Sequence, residues 1–266
     1  MRCGQCDLVY ARQLPTAEEL SEYYASYPAI ATLSELTARR FGELLDRLEP
    51  FRQTGRLLDV GCGDAHFLSA ARERGWTAYG SEYGEAPRER ARERGLDVRP
   101  APFPAAADEI GGFDVVTSIE VIEHVAEPRD ELDRMTTLLR RGGAIYLTTP
   151  NFNSLSRRVA GPRWRAIEYP EHLNLFTPRT LDGLLTRAGL SKAELRTTGL
   201  SPADMRNGLE RRRAEDAGTA GSPVRDDRLR SHVAASATLE RAVDVANRTL
   251  SRFGLGDTIK ALYRLP

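Results

Sequence analysis

The chain of 266 residues carries 38 basic and 38 acidic side chains, and this balance excludes a global electrostatic pull toward nucleic acid or an anionic membrane. Apolar residues make up 41% and charged residues 29%, as in a globular protein large enough to bury a substantial core. Three cysteines are too few for a disulfide framework, no run of about 18 apolar residues offers a membrane span, and the first residues lack the apolar stretch of a secretory leader, so a cytoplasmic protein without membrane contact is expected.

The chain opens MRCGQCDLVY, with Cys3 and Cys6 at C-x-x-C spacing. That spacing suits half of a zinc site, a redox pair, or neither. PTAEELSEYYASYP predicts a short helix starting at Pro15 and ended before Pro28. LSELTARRFGELLDRLEPF then places Leu33, Leu36, Phe41, Leu44, Leu45 and Leu48 at helical spacing, and Gly55 closes that helix.

From Arg56 the rhythm changes. RLLDV predicts a strand, AHFLSAARERG a helix ending at Gly75, WTAYGSE a strand, APRERARERG a helix and LDVRP a strand. FDVVTSI predicts a buried strand, PRDELDRMTTLLRRGG a helix and AIYLTT another strand. Such alternation implies a parallel sheet joined by right-handed crossovers. The stretch NFNSLSRRVAGPRWRAIEYPEHLNLFTP is expected to be irregular, and its length suggests a functional loop. TPRTLDGLLTRAG predicts a helix with Thr177 as its cap and Pro178 in first position, and KAELRTTG a strand.

Beyond Leu200 the composition shifts. MRNGLERRRAEDAGTAGSPVRDDRLR is expected as a mobile connection, and LRSHVAASATLERAVDVANRTLSRFG as a long amphipathic helix closed by Gly254. In the terminal TIKALYRLP, Ile259, Ala261, Tyr263 and Leu265 alternate with Lys260, Leu262 and Arg264. This predicts a last strand inserted antiparallel into the sheet, with a helix as the competing expectation.

LLDVGCGDAHF carries the strongest signal. Asp59 ends a strand, and Gly61 and Gly63 let the backbone turn tightly before a helix begins. The first acid past the second strand is Glu82, which can accept hydrogen bonds from both hydroxyls of a ribose. A dinucleotide site wants a third glycine for its pyrophosphate, but here His66 stands in that place and Asp64 adds a negative charge. S-adenosylmethionine has no phosphate, and its ammonium suits Asp59.

LLDVGCGDAHF, YGSE, FDVVTSIEVIEHV and LLRRGGAIYLTTPN, in that order and spacing, resemble the class I S-adenosylmethionine-dependent methyltransferases, from about Arg56 to Gly199. The resemblance implies an α/β, Rossmann-like sheet of seven strands, mostly parallel with the last strand antiparallel, and helices on both faces. It implies that Asp59, Gly61, Cys62 and Gly63 hold the methionine end of the cofactor and Glu82 the ribose. Tyr83 would flank the adenine, Ala101, Pro102 and Phe103 would line its edge, and Ser118 and Ile119 would close over the sulfonium. One departure is that VRPAPF lacks the acid many relatives use to receive the adenine amino group.

Methyl transfer needs an aligned nucleophile and, for a hydroxyl, a base that removes its proton. The Asn/Asp-Pro-Pro-aromatic box of nucleobase amine methylation is absent, since SIEVIEH occupies its place. SIEVIEHV followed by AEPRDEL resembles, more narrowly, the ubiquinone-biosynthesis type of O-methyltransferase. Glu120, Glu123 and His124 cluster there. His124 is a candidate base, the three could instead hold a divalent cation, and a purely structural role is the third option. His172, in YPEHLNLFTP, is the second candidate base, on a loop expected at the cofactor side of the sheet, or else it orders that loop. Phe152, Trp164, Tyr169 and Phe176 could wall an apolar or aromatic acceptor, with one or two of them expected as simple core, and Arg163 and Arg165 could meet an acidic group or else be solvated. The catalytic expectation is His172, His124 and Glu120, without a bound metal.

The expected function is methyl transfer to a hydroxyl of a small molecule, a phenol or sugar, by a monomer or homodimer. Alternatives are a nitrogen or carbon acceptor, or a non-catalytic binding protein on the same fold. The expected division is an N-terminal knuckle remnant and lid helices over 1–54, a cofactor-binding core over 55–199, a helical insertion over 200–256 and the last strand over 257–266. CGQCDLVY…LPTAEELSEYY resembles the second knuckle of an N-terminal zinc ribbon and its following helix. Four-coordinate zinc needs two more ligands, so the pair is expected as a remnant, or as half of a longer chain's site, without bound metal.

Overall fold

The computed structural model describes residues 1–16, 18–20, 23, 33–103, 112–200 and 237–266. Its centre is a seven-stranded sheet. The strands are β2 (Arg56–Val60), β3 (Thr77–Glu82), β4 (Asp97–Pro100), β5 (Phe113–Ile119), β6 (Leu139–Pro150), β8 (Ser191–Thr198) and β9 (Thr258–Arg264), in the order β4-β3-β2-β5-β6-β9-β8. β9 runs antiparallel to both β6 and β8, and the other neighbours pair parallel. The terminal alternation is thus a strand, inserted between two others rather than added at the edge. A separate ribbon pairs β1 (Val9–Tyr10) antiparallel with β7 (Asn174–Leu175).

Side-chain alternation divides the core. Leu57, Val115, Ala144, Tyr146 and Leu262 join one cluster with Leu44, Leu45 and Leu48 of α1 (Glu35–Leu48) and Phe67, Leu68 and Ala71 of α2 (His66–Glu73). Leu58, Val116, Ile145, Leu147, Ile259 and Tyr263 point the other way. They meet Leu132 and Met135 of α4 (Pro128–Thr137) and Leu181, Leu184 and Leu185 of α6 (Pro178–Arg187). Between α2 and α4 in the chain lies α3 (Glu85–Glu93). Ser34 caps α1, and Thr177 caps α6 with Thr180 closing a reciprocal capping box.

Two expectations need correction. The helix expected over PRDELDRMTTLLRRGG stops at Thr137, and β6 starts at Leu139. Leu139 pairs with Phe113, and the register then shifts before Ala144 meets Val115. Within that bulge Arg140 turns its Nε to Asp114, a buried carboxylate that also accepts the amides of Gln53, Thr54 and Gly55 at 2.7–2.8 Å. The ion pair overrides the helical preference of the leucine–arginine run. The stretch expected to be irregular after β6 contains α5 (Leu155–Ala160), capped by Ser154, and the strand β7. Of the aromatic wall candidates, Trp164 and Phe176 are buried, in keeping with the expectation that one or two are core, whereas Tyr169 is 52% exposed.

The described part of the long helix is α7 (Ala237–Arg252), which packs along β8. Asn247 Oδ1 accepts the Gly199 amide, and Ser251 Oγ the Thr197 amide. The earlier part of that helix, from 229 to 236, and the connection expected over residues 205–230 lie outside the described residues, as does most of the helix expected over 15–28. No helix among the described residues is long and apolar enough to cross a membrane.

Candidate active site

The carboxyl ends of β2, β3, β5 and β6 open on one side of the sheet. After β2 the chain turns through Gly61 (φ 70°) and Gly63 (φ 51°), and Ala65 enters α2 with φ 58°. A Cβ on Gly61 would lie 2.5 Å from Val121 Cγ2, so the missing side chain is the seat of Val121. A Cβ on Gly63 would meet nothing within 4 Å. The loop is therefore tight against the turn after β5 at one glycine and open to a ligand at the other.

Two carboxylates flank this opening. Asp59 is 4% exposed, and Thr117 Oγ1 donates to its Oδ1 at 2.6 Å. Burial pushes the Asp59 carboxyl up to about 7; the Thr117 hydrogen bond opposes the rise and the Glu82 charge adds to it. Glu82 accepts the Gly63 amide on Oε2 and the Gly84 amide on Oε1, both at 2.9 Å. It thereby ties the loop after β2 to the end of β3, and each oxygen keeps a lone pair for another donor. Cys62 turns its sulfur toward Gly80, and burial pushes its thiol up, so it acts as packing here. Asp64, counted above against a phosphate, is paired with Arg90 at 2.6 Å.

The adenine candidates lie farther along. Tyr83 is 73% exposed. Ala101 is half-buried and Pro102 exposed, while Phe103 is buried edge-on against Phe113 at 5.7 Å. Ser118 is buried within the sheet and Ile119 half-buried at the end of β5.

The turn after β5 begins at Glu120, a non-glycine residue with φ 55°. Such backbone is uncommon and recurs at functional sites. The Glu120 amide donates to Thr148 O and Thr148 Oγ1, both at 3.1 Å. Its side chain is exposed to solvent. Desolvation raises its pKa, while the Thr148 hydroxyl and the neighbouring His172 and Lys260 oppose the rise. Lys260 shares a cross-strand register with Thr148 and was not singled out by the sequence. Burial, then Arg40 and Arg47, lower its pKa.

Glu123 points the other way. It is 1% exposed, Thr149 Oγ1 donates to Oε2 at 2.9 Å, and Oε1 has no hydrogen-bond partner among the described residues. Burial, with Glu120 beside it, raises its pKa well above the carboxylate range.

The two candidate bases come together. The rings of His124 and His172 lie edge to face, centroids 4.8 Å apart. His124 Nδ1 lies 3.0 Å from Glu171 O, and His172 Nδ1 lies 2.9 Å from Ala166 O. A carbonyl only accepts, so these two contacts favour the hydrogen on Nδ1 of each ring. Burial, then the neighbouring His172, lowers His124 to about 4. Glu123, His124 and His172 each offer a ligand atom within 4.8 Å of the others, a set able to hold a divalent cation. Cys3 and Cys6 are half-buried on a turn in which the Asp7 amide donates to Cys3 O.

A family model described as a methyltransferase domain matches residues 33–195. The chain is 35% identical over 105 residues to a ubiquinone biosynthesis O-methyltransferase of Stutzerimonas stutzeri (strain A1501), a match covering 37% of this chain and 45% of that one. A ubiquinone biosynthesis O-methyltransferase of Aeromonas salmonicida (strain A449) is 30% identical over 148 residues, covering 51% of this chain and 62% of that one. The chain thus matches less than two thirds of the length of these relatives. The crystal structure of a SAM-dependent methyltransferase from Archaeoglobus fulgidus superposes with a TM-score of 0.55 at 18% identity, covering 86% of this chain and 93% of that one. At that identity the likeness shows the fold.

Proposed function

Because the chain belongs to the methyltransferase-domain family, we propose that it transfers the methyl group of S-adenosylmethionine to a hydroxyl of a small molecule, a phenol or a sugar. S-adenosylmethionine is the cofactor expected of this family, and the residues present fit it: a buried carboxyl at Asp59 for its ammonium, an opening at Gly63, and an acceptor at Glu82 for its ribose. When bound, it supplies a methyl group already activated by the sulfonium.

In this reading Asp59, Gly61, Cys62 and Gly63 form the methionine end of the site. Tyr83 flanks the adenine, Ala101, Pro102 and Phe103 bound its edge, and Ser118 and Ile119 lie beside the sulfonium. His172 Nε2 takes the proton of the acceptor hydroxyl. His124 holds the His172 ring in place, and Glu120 stabilises the positive charge that His172 gains. The observation that carries the reading is the seating of Val121 on Gly61, because it sets the Glu120–His124 turn directly against the cofactor loop. The reading also takes the protein to act in the cytoplasm on a free small molecule, as a monomer or homodimer.

The test is incubation with S-adenosylmethionine and a panel of catechols, phenolic acids and sugars, scoring S-adenosylhomocysteine and the methylated atom. O-methylation of one panel member is expected. Methylation only at nitrogen or carbon, or no cofactor binding at millimolar concentration, would sink the reading. The Glu123–His124–His172 cluster favours a second reading, in which a divalent cation acidifies the acceptor hydroxyl. Loss of turnover on chelation, restored by magnesium or manganese, would select it.

A further inference from the structure

The loop that carries His172 is held from two sides. On the inner side Glu123 O accepts the amides of Leu173 and Asn174 at 2.8 and 2.9 Å, and Asn174 Nδ2 donates to Val125 O at 2.7 Å. On the outer side the N-terminal segment pairs Val9 with Leu175 and Tyr10 with Asn174, and the Ala11 amide donates to Leu173 O at 2.8 Å. Farther along that segment Tyr23 Oη donates to Glu171 Oε2 at 2.6 Å.

Glu171 is 8% exposed, so its carboxylate depends on donors such as this one. The other end of the same residue serves the site, because its backbone carbonyl is the acceptor for His124 Nδ1. The next residue is His172. Glu171 is thus anchored at both ends, its carboxylate on Tyr23 and its carbonyl on His124 Nδ1, and a residue held at two points has fewer conformations open to it than one held at a single point, so the bond to Tyr23 narrows the positions that the carbonyl can take.

We infer that Tyr23 is a positioning residue of the methyl-transfer site, acting through Glu171 to orient the rings of His124 and His172. The inference rests on the reading of the reaction given above. Tyrosine suits the task because a rigid ring delivers its hydroxyl at small entropic cost. A hydrogen bond between an N-terminal tyrosine and the loop after β6 makes the N-terminal segment part of the active-site framework.

The test compares Tyr23→Phe, Glu171→Gln and Glu171→Leu with the wild type. Tyr23→Phe keeps the ring and drops the donor, and kcat is expected to fall between about ten- and a hundredfold, with the Kd for S-adenosylmethionine unchanged. Glu171→Gln keeps an acceptor and is expected to retain most of the rate, and Glu171→Leu to lose it. Long-range 15N–1H spectra of the histidine rings give an independent readout in a chain with only 4 histidines. The wild type should show His124 and His172 protonated on Nδ1, and Tyr23→Phe should shift both toward the Nε2-protonated form that a free histidine side chain prefers. Unmoved ring signals in Tyr23→Phe, or an unchanged kcat, would overturn the inference. If the wild type methylates no acceptor, the reaction reading fails, and the ring signals alone still decide whether Tyr23 orients the histidines.

Discussion

His172 stands edge to face against His124, centroids 4.8 Å apart and ring planes at 71°, although one follows β5 and the other lies on the loop beyond α5. A general base contributes about 10²- to 10⁴-fold to a proton-transfer step. His172→Ala is therefore expected to lower kcat by that range, and calorimetry should find cofactor affinity unchanged. His124→Ala should cost less, since in the proposed roles it touches the base and not the acceptor.

The two loop glycines make opposite demands. Gly61→Ala would drive a methyl to 2.5 Å from Val121 at a φ of 70°, so it should lower the thermal midpoint as well as cofactor affinity. Gly63→Ala has open space around its Cβ. It should cost about 1–2 kcal/mol for the left-handed backbone and weaken S-adenosylmethionine binding at least tenfold. Equal thermal losses with intact binding in both variants would contradict the assigned ligand side.

Asp59 makes cofactor binding pH-dependent. Its folded pKa is raised to about 7, so the native state favours the protonated carboxyl. The associated stability is fully present below the ordinary carboxylate range and is lost as pH rises through about 7. Asp59→Asn should therefore raise the thermal midpoint of the cofactor-free protein more at about pH 8 than at about pH 5. Pairing with an ammonium favours the ionised form, so binding below about pH 7 should release up to about one proton. Calorimetry in buffers of different ionisation enthalpy would measure that release.

Asp114 shows the opposite linkage. Its atoms are closed off from water by Arg140 and the 53–55 turn rather than by depth in the core. Desolvation pushes its pKa up, but the Arg140 guanidinium and the amides of Gln53, Gly55 and Thr54 outweigh it and hold the carboxyl low. Its contribution is present above the ordinary carboxylate range and lost as pH falls below it. Arg140→Met leaves the carboxylate without its cation, and urea unfolding near neutral pH should show a loss of about 3–5 kcal/mol.

Much of the fold was legible because its signals are local. LLDVGCGDAHF joins a buried strand to a glycine turn, and Ile259, Ala261 and Tyr263 fall on one face of the sheet with Leu262 on the other. What escaped depends on partners far along the chain. β1 and β7 have two residues each, too few to show a period, and form through each other. The leucine–arginine run before Gly142 reads as helix until Asp114 claims Arg140. Nothing in SIEVIEH tells which acid is buried. The left-handed turn at Glu120 separates them, with Glu123 buried and Glu120 exposed. Tyr23 and Glu171 likewise carry no mark of their meeting.

The place of β9 bears on how the chain is made. Among the described strands β8 reaches the rest of the sheet only through β9, yet β9 is synthesised after it. Until Thr258–Arg264 leaves the ribosome, Ala144–Pro150 of β6 presents a bare edge of mostly buried-type residues, the kind of template that recruits foreign strands. A nascent chain stalled between Thr198 and Thr258 would hold a nearly complete cofactor loop and still be adhesive. Quality-control chaperones and proteases would therefore meet this protein late in its synthesis, and a single closing strand would release it from them.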